Sequence, residues 1–294
     1  MVKKLAGVVL IWIACSFFAA QAPTNNRRVL VRRYREGEKL SYQMKGINQA
    51  WHYSIQADGA VKRDPTGPFF EEYRWSGLIS DHQEVPLSAA SLNFREQVSL
   101  DPNYKLAFPS LSQVDHRLVG PITDFLTFYA DLRLVIKADS LTNPGDHFYV
   151  KRGTPNSWAD GNYVLIGEDS IDFDLSLKDV NRPENTATIL IRHVPPEKPD
   201  IRLPAEWMRK RVADTANNFV QVQRTKDGKY LAAVGKETFE VELRVSLGDG
   251  KILSGKMDNP VETIKRECMD AALTTCGDPA ANSIRRQVQI FLKP

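Results

Sequence analysis

The sequence predicts an α+β fold, mainly antiparallel: a large curved meander sheet or half-barrel wrapped around a central helix, with short additional helices. Three observations lead there. Apolar and polar residues alternate along most segments, turn signals recur between them, and one stretch alone, from Pro121 to Lys137, sustains a helical period.

The first 22 residues stand apart from the fold. Lys3 and Lys4 precede an apolar run to Ala22, and Ala20-Gln21-Ala22 has the small-x-small form that a signal peptidase accepts, with Ala19 and Ala20 offering an earlier cut. Residues 1–22 therefore read as a signal peptide and 23–294 as a single exported β-rich domain, periplasmic or secreted. Two other readings stay open: an uncleaved membrane anchor, which the arginines downstream would orient inward, and lipidation at Cys15, where Trp12 is a poor fit to a lipoprotein signal.

From residue 39 the elements follow in order. Leu40, Tyr42 and Met44 share one face of a half-buried strand. Trp51 to Gln56 and Ala60 to Arg63 flank Asp58-Gly59, which reads as a hairpin turn. Phe69 to Ile79 is the next strand, and Leu92 to Leu100 adds another. Ile122, Phe125, Leu126, Tyr129, Leu132 and Ile136 recur at helical spacing behind Gly120-Pro121, the proline fitting a first turn. Because Phe128, Leu134 and Val135 widen its apolar girth, this helix is expected to be buried on more than one side.

Strands resume at 146–152, 162–166, 171–177 and 186–194, divided by turns at Asp160-Gly161 and Asn181-Arg182-Pro183. Pro195-Pro196-Glu197-Lys198-Pro199 is linker-like and marks a subdivision near 195–204. A short helix is expected over Ala205 to Ala216, then strands at 219–224, 237–246 and 251–257. A helix starting at Pro260 and carrying Cys268, then a closing strand from Arg286 to Lys293, complete a count of about a dozen strands.

Composition narrows function by exclusion. Basic residues fall from 39 to 37 on loss of Lys3 and Lys4, against 36 acidic ones, so the mature chain is nearly neutral and nucleic acid is not an expected partner. Arg27, Arg28, Arg32, Arg33 and Arg35 offer a membrane-surface contact, although a solvated lead-in is the favoured reading. Cys268 and Cys276, the two cysteines of the mature chain, are expected to form a disulfide in an oxidising compartment.

No nucleophile elbow, zinc-protease helix, phosphate loop or dinucleotide fingerprint occurs, so no catalytic residue and no cofactor is assigned. The enzyme alternative is a hydrolase in which folding unites Asp160, His147 and Glu168. Glu168, Asp169, Asp172 and Asp174 could suggest calcium, but Asp172 and Asp174 alternate with Ile171, Phe173 and Leu175, as a solvated acidic face does; no metal is expected. Trp51, Trp75, Trp158 and Trp207 could line a pocket or fill a core.

Meandering strands, a central helix and a second run of hairpins, with stretches such as Gly145-Asp146-His147-Phe148-Tyr149-Val150 and Ser157-Trp158-Ala159-Asp160-Gly161-Asn162, resemble the open half-barrels of periplasmic lipoprotein carriers and hypothetical exported bacterial proteins. The resemblance implies a concave apolar face that holds acyl chains. The expectation is a noncatalytic exported protein binding a lipid or other apolar ligand near Phe125, Phe128, Tyr129 and Leu132; the rival is an envelope interaction or scaffold protein.

Overall fold

The computed structural model describes residues 29–48, 51–104, 110–111, 113–138, 140–151, 156–158 and 163–294. The signal segment, Cys15, Arg27, Arg28, the Asp160-Gly161 turn and the Trp158 side chain lie outside these residues.

Among the described residues fifteen strands join one unclosed antiparallel sheet. Its first half is the meander β1 (Lys39–Asn48), β2 (Trp51–Arg63) and β3 (Phe69–Ser80), with β4 (Gln83–Glu84) and β5 (Glu96–Val98) on the outer edge of β3. Asp58-Gly59 is not a turn: β2 runs straight through it. The glycine answers a different need, because a Cβ there would sit 2.3 Å from the ring of Tyr73 on β3. Gly46 makes the same room for Tyr53. The expected strand at 92–100 is shortened to β5, with helix α1 (Ala89–Asn93), capped by Ser88, taking its first two residues.

Helix α2 (His116–Lys137) starts more than one turn before Pro121, which lies inside it rather than in its first turn. Leu118, Ile122, Phe125, Phe128 and Leu132 are fully buried, and the helix fills the hollow of the sheet as its girth predicts. Tyr42, Tyr73 and Trp75 pack their rings on Phe125 at centroid distances of 4.8 to 5.9 Å.

The second half consists of β6 (His147–Val150), β7 (Asn156–Trp158), β8 (Val164–Asp169), β9 (Asp172–Asn181), β10 (Thr186–Val194), β11 (Phe219–Arg224), β12 (Tyr230–Glu237), β13 (Phe239–Ser246), β14 (Ile252–Cys268) and β15 (Ala280–Leu292). Strand β14 replaces the expected helix after Pro260. It pairs with β15 along one side, while on the other its first half pairs with β13 and its second with β12. Pro260 stands where the partner changes, so the sheet forks there and the missing N–H breaks no continuous ladder.

One arm continues as β13-β10-β9-β6 around α2; the other runs β12-β11-β8-β7. A fork strands backbone groups, and buried Asn218 satisfies them: its Nδ2 donates to the carbonyls of Ser170 and Glu237, and its Oδ1 accepts from the Glu237 N–H.

The second arm has its own small core of Met208, Val220, Val222, Ala232, Val234, Cys268 and Leu273. The segment after the proline-rich stretch covers it, but as a single 3₁₀ turn (Glu206–Arg209) in place of the longer helix expected. The Cys268–Cys276 disulfide closes the loop that carries Leu273 into this core. Among the described residues no helix is long and apolar enough to cross a membrane.

Candidate functional site

Phe125, Phe128, Tyr129 and Leu132 all point into packed protein between α2 and the sheet, and neither of the two surface troughs described below reaches them. What the sequence did not reveal is how this helix is fastened. Three polar groups on its buried side are latched to the sheet. Asp124 accepts from the Tyr53 hydroxyl at 2.7 Å and lies 3.2 Å from Arg286 as an ion pair. Asp131 accepts from His193 Nε2 at 2.9 Å. The Tyr129 and Tyr73 hydroxyls both donate to Glu71, which is ion-paired with Arg32.

These latches are buried, and their protonation equilibria reflect it. Burial, then the negative charge of Glu71, holds the Tyr73 and Tyr129 hydroxyls well above the ordinary tyrosine value, so both remain donors. Burial raises Asp124, with Arg286 and Tyr53 opposing it. For Arg32 burial works against the charge, yet Glu71, Tyr34 and Glu38 outweigh it and hold the guanidinium above its usual value.

Arg32, one of the arginines offered for a membrane surface, faces inward. It is buried, ion-paired at 3.0 Å to both Glu38 and Glu71, and stacked 4.3 Å over the Tyr34 ring, so it plugs the arm before β1 into the core. Arg33 donates to the carbonyls of Leu247 and Gly248, and only Arg35 of the described three is free of such ties.

Of the hydrolase candidates, the described His147 and Glu168 make no contact with one another. His147, largely exposed on β6, faces Asp174 at 3.2 Å, while Glu168 on β8 is buried and held by the backbone N–H and guanidinium of Arg202. Burial would raise Glu168, but those two donors hold it below the usual carboxylate range. Asp160 lies outside the described residues. The acidic segment is also less solvated than expected: Asp172 is buried under the Tyr149 hydroxyl at 2.8 Å, and Asp174 lies between His147 and Arg192. Among the described residues no group of three His, Cys, Asp or Glu side chains is arranged to hold a metal ion.

The open ground is on the outer face. A trough of about 780 Å³ crosses six neighbouring strands, from β3 through β2, β1, β15 and β14 to β13. Cross-strand register builds it in two rows. Ile79, Ser54, Lys45, Gln289, Lys256 and Glu242 stand opposite one another in turn, and beside them run His52, Ile47, Gln287, Asp258 and Glu240.

Its far wall is acidic, its floor is amide and lysine, and its near end holds Ile47 and Ile79, both more than a third exposed, next to the stacked rings of His52 and His82. His82 and Asp81 have positive φ, and the Asp81 carboxylate accepts from the His52 N–H at 2.8 Å, which fixes that end. Alternation marks these residues as outward-facing; that they form one trough depends on strand order, which no local signal encodes. Compared with family models and with curated proteins, the chain matches none.

Proposed function

We propose that this is a noncatalytic exported protein of the cell envelope that recognises an extended segment of a partner protein in the trough on the outer face of its sheet. The observation behind the reading is the division of surfaces: α2 fills the hollow face, while the outer trough is open and of mixed polarity. An acyl chain gains by leaving water for apolar walls. Walls of lysine, glutamate, glutamine and histidine offer little of that, whereas Gln287 and Gln289 can both donate to and accept from a polypeptide, and Ile47 and Ile79 suit an aliphatic side chain.

Export is supported by the charged and apolar character of residues 1–22 together with the Cys268–Cys276 disulfide. The apolar-ligand reading suggested by the resemblance to lipoprotein carriers would require α2 to leave the sheet and its three latches to open.

The test uses the full mature chain with a photo-crosslinking residue at Gln287, and at Lys226 on a distant turn as reference. A discrete adduct from envelope extract at Gln287, absent at Lys226 and lost when Lys45→Glu and Lys256→Glu are added, is the expected result. Native mass spectrometry with solvent extraction runs beside it. Stoichiometric lipid, with no adduct, would overturn the proposal in favour of an apolar ligand under α2.

A further inference from the structure

A second trough, of about 600 Å³, lies elsewhere on the outer face over the start of β1, the middle of β2 and the middle of β3. Its charge is one-sided. Lys39, Lys62, Arg74, Arg95 and Lys293 line it against two carboxylates, Asp58 and Glu72. Both carboxylates are already engaged: Asp58 accepts from Ser41 and Gln56 at 2.8 Å, and Glu72 is paired with Lys62 at 2.6 Å and accepts from Gln97.

Of the cations, Lys62 is committed to Glu72, and two carry no such tie. Lys39 and Arg74 are exposed, and neither has a hydrogen bond or ion pair among the described residues. Arg95 uses only Nη1, on the carbonyls of Leu92 and Phe94, and its other donors have no hydrogen bond among the described residues. Lys293 touches only the neutral amide of Gln56.

Geometry makes this more than a scatter of surface charge. Lys39 stands opposite Ala60 and Arg74 opposite Asp58, so the two flank β2 from either side, separated by two strand spacings and two residues along the strands. That is roughly 12 Å between backbones, within reach of two long side chains converging on one group. Between them the floor is Gly59 and Ala60, with Asp58 beside Arg74 and Glu72 on the far side of Ala60. Cations held close together without partners repel, and an anion with several oxygens relieves that cost while using the donors.

We propose that this trough binds a multiply charged phosphate-type anion between Lys39 and Arg74, with Arg95 and Lys293 at its rim, at a site separate from the peptide trough. A soluble oligophosphate and the phosphodiester headgroups of an anionic membrane share this chemistry, and the experiment distinguishes them.

The full mature chain is titrated with inorganic pyrophosphate by calorimetry. It is also sedimented with vesicles of one part phosphatidylglycerol to three parts phosphatidylcholine. K39E/R74E is compared with R182E/K226E, which makes the same charge change on two exposed turns; matching unfolding curves establish that both variants are folded.

Binding to either probe, weakened by added salt and at least about tenfold weaker in K39E/R74E than in R182E/K226E, is the expected result. Pyrophosphate alone would identify a soluble ligand, and vesicles alone a headgroup. No binding to either probe, or equal loss in the two variants, would overturn the proposal.

Discussion

Replacing Arg32 with alanine tests whether the arm before β1 is part of the folded core. The guanidinium lies in a pocket made by Glu38, Glu71 and the Tyr34 ring, and its side chain is 1 % exposed, as is that of Glu71. Its loss leaves the Glu71 carboxylate buried with only the Tyr73 and Tyr129 hydroxyls as donors. Removing one partner of such a pair costs about 3 to 5 kcal/mol, because the remaining charge is neither solvated nor compensated. For a chain of this size that lowers the midpoint of thermal unfolding by roughly 6 to 15 °C.

The assay is urea unfolding followed by tryptophan fluorescence, with the slope checked for constancy so that the midpoint reports stability. Arg35→Ala, at an exposed neighbour, should stay within about 0.5 kcal/mol of the parent. Glu71→Gln alone should be costly, and the double variant should cost less than the two singles combined, because the pair is coupled. A loss below about 1 kcal/mol for Arg32→Ala would refute the reasoning and return Arg32 to the solvated arginine cluster.

Three further predictions follow from the fork and the loop beside it. Asn218→Ala removes three hydrogen bonds and leaves backbone groups of Ser170 and Glu237 buried without partners, so it should cost about 2 to 4 kcal/mol in the same assay; an effect below 1 would show that water replaces the amide. Glu237 is raised to about 7 by burial and by the charge of Asp169. The folded state thus holds a proton that the unfolded chain has released, so stability should fall as pH rises from about 4.5 to about 7 and then level off. Glu237→Gln should flatten that fall, of as much as about 3 kcal/mol, and an unchanged pH profile would contradict the assignment. Reduction of Cys268–Cys276, eight residues apart, should cost about 2 to 3 kcal/mol; thiol titration of the native protein checks that the bond exists in solution.

Local physics made much of this fold legible. Alternation set the burial of Leu40, Tyr42 and Met44; turn residues bounded β10 and β11 at their observed limits; and the apolar girth of 121–137 implied a helix enclosed by sheet. The misreadings came from residues with two uses. Gly59 resembles a turn glycine but makes room for the ring of Tyr73, and Pro260 resembles a helix start but sits where β14 changes partners. Each decision belongs to a neighbour distant in sequence.

The same distance separates the surfaces from the segments that build them. That Lys45, Gln289 and Lys256 would line one trough follows from the order of strands about 200 residues apart in the chain, Lys39 and Arg74 are brought near one another by the register of the β1-β2-β3 meander, and Arg32 meets Glu71 only because the arm and β3 pack at one end of the sheet. The sequence by itself determined which faces are apolar, where most strands and the long helix lie, and that two cysteines stand ready to pair. Tertiary structure alone decided where the sheet would fork, how the polar groups of the helix would be latched to it, and that an open trough would cross the outer face, since side-chain period reports which side of an element is buried but not what buries it.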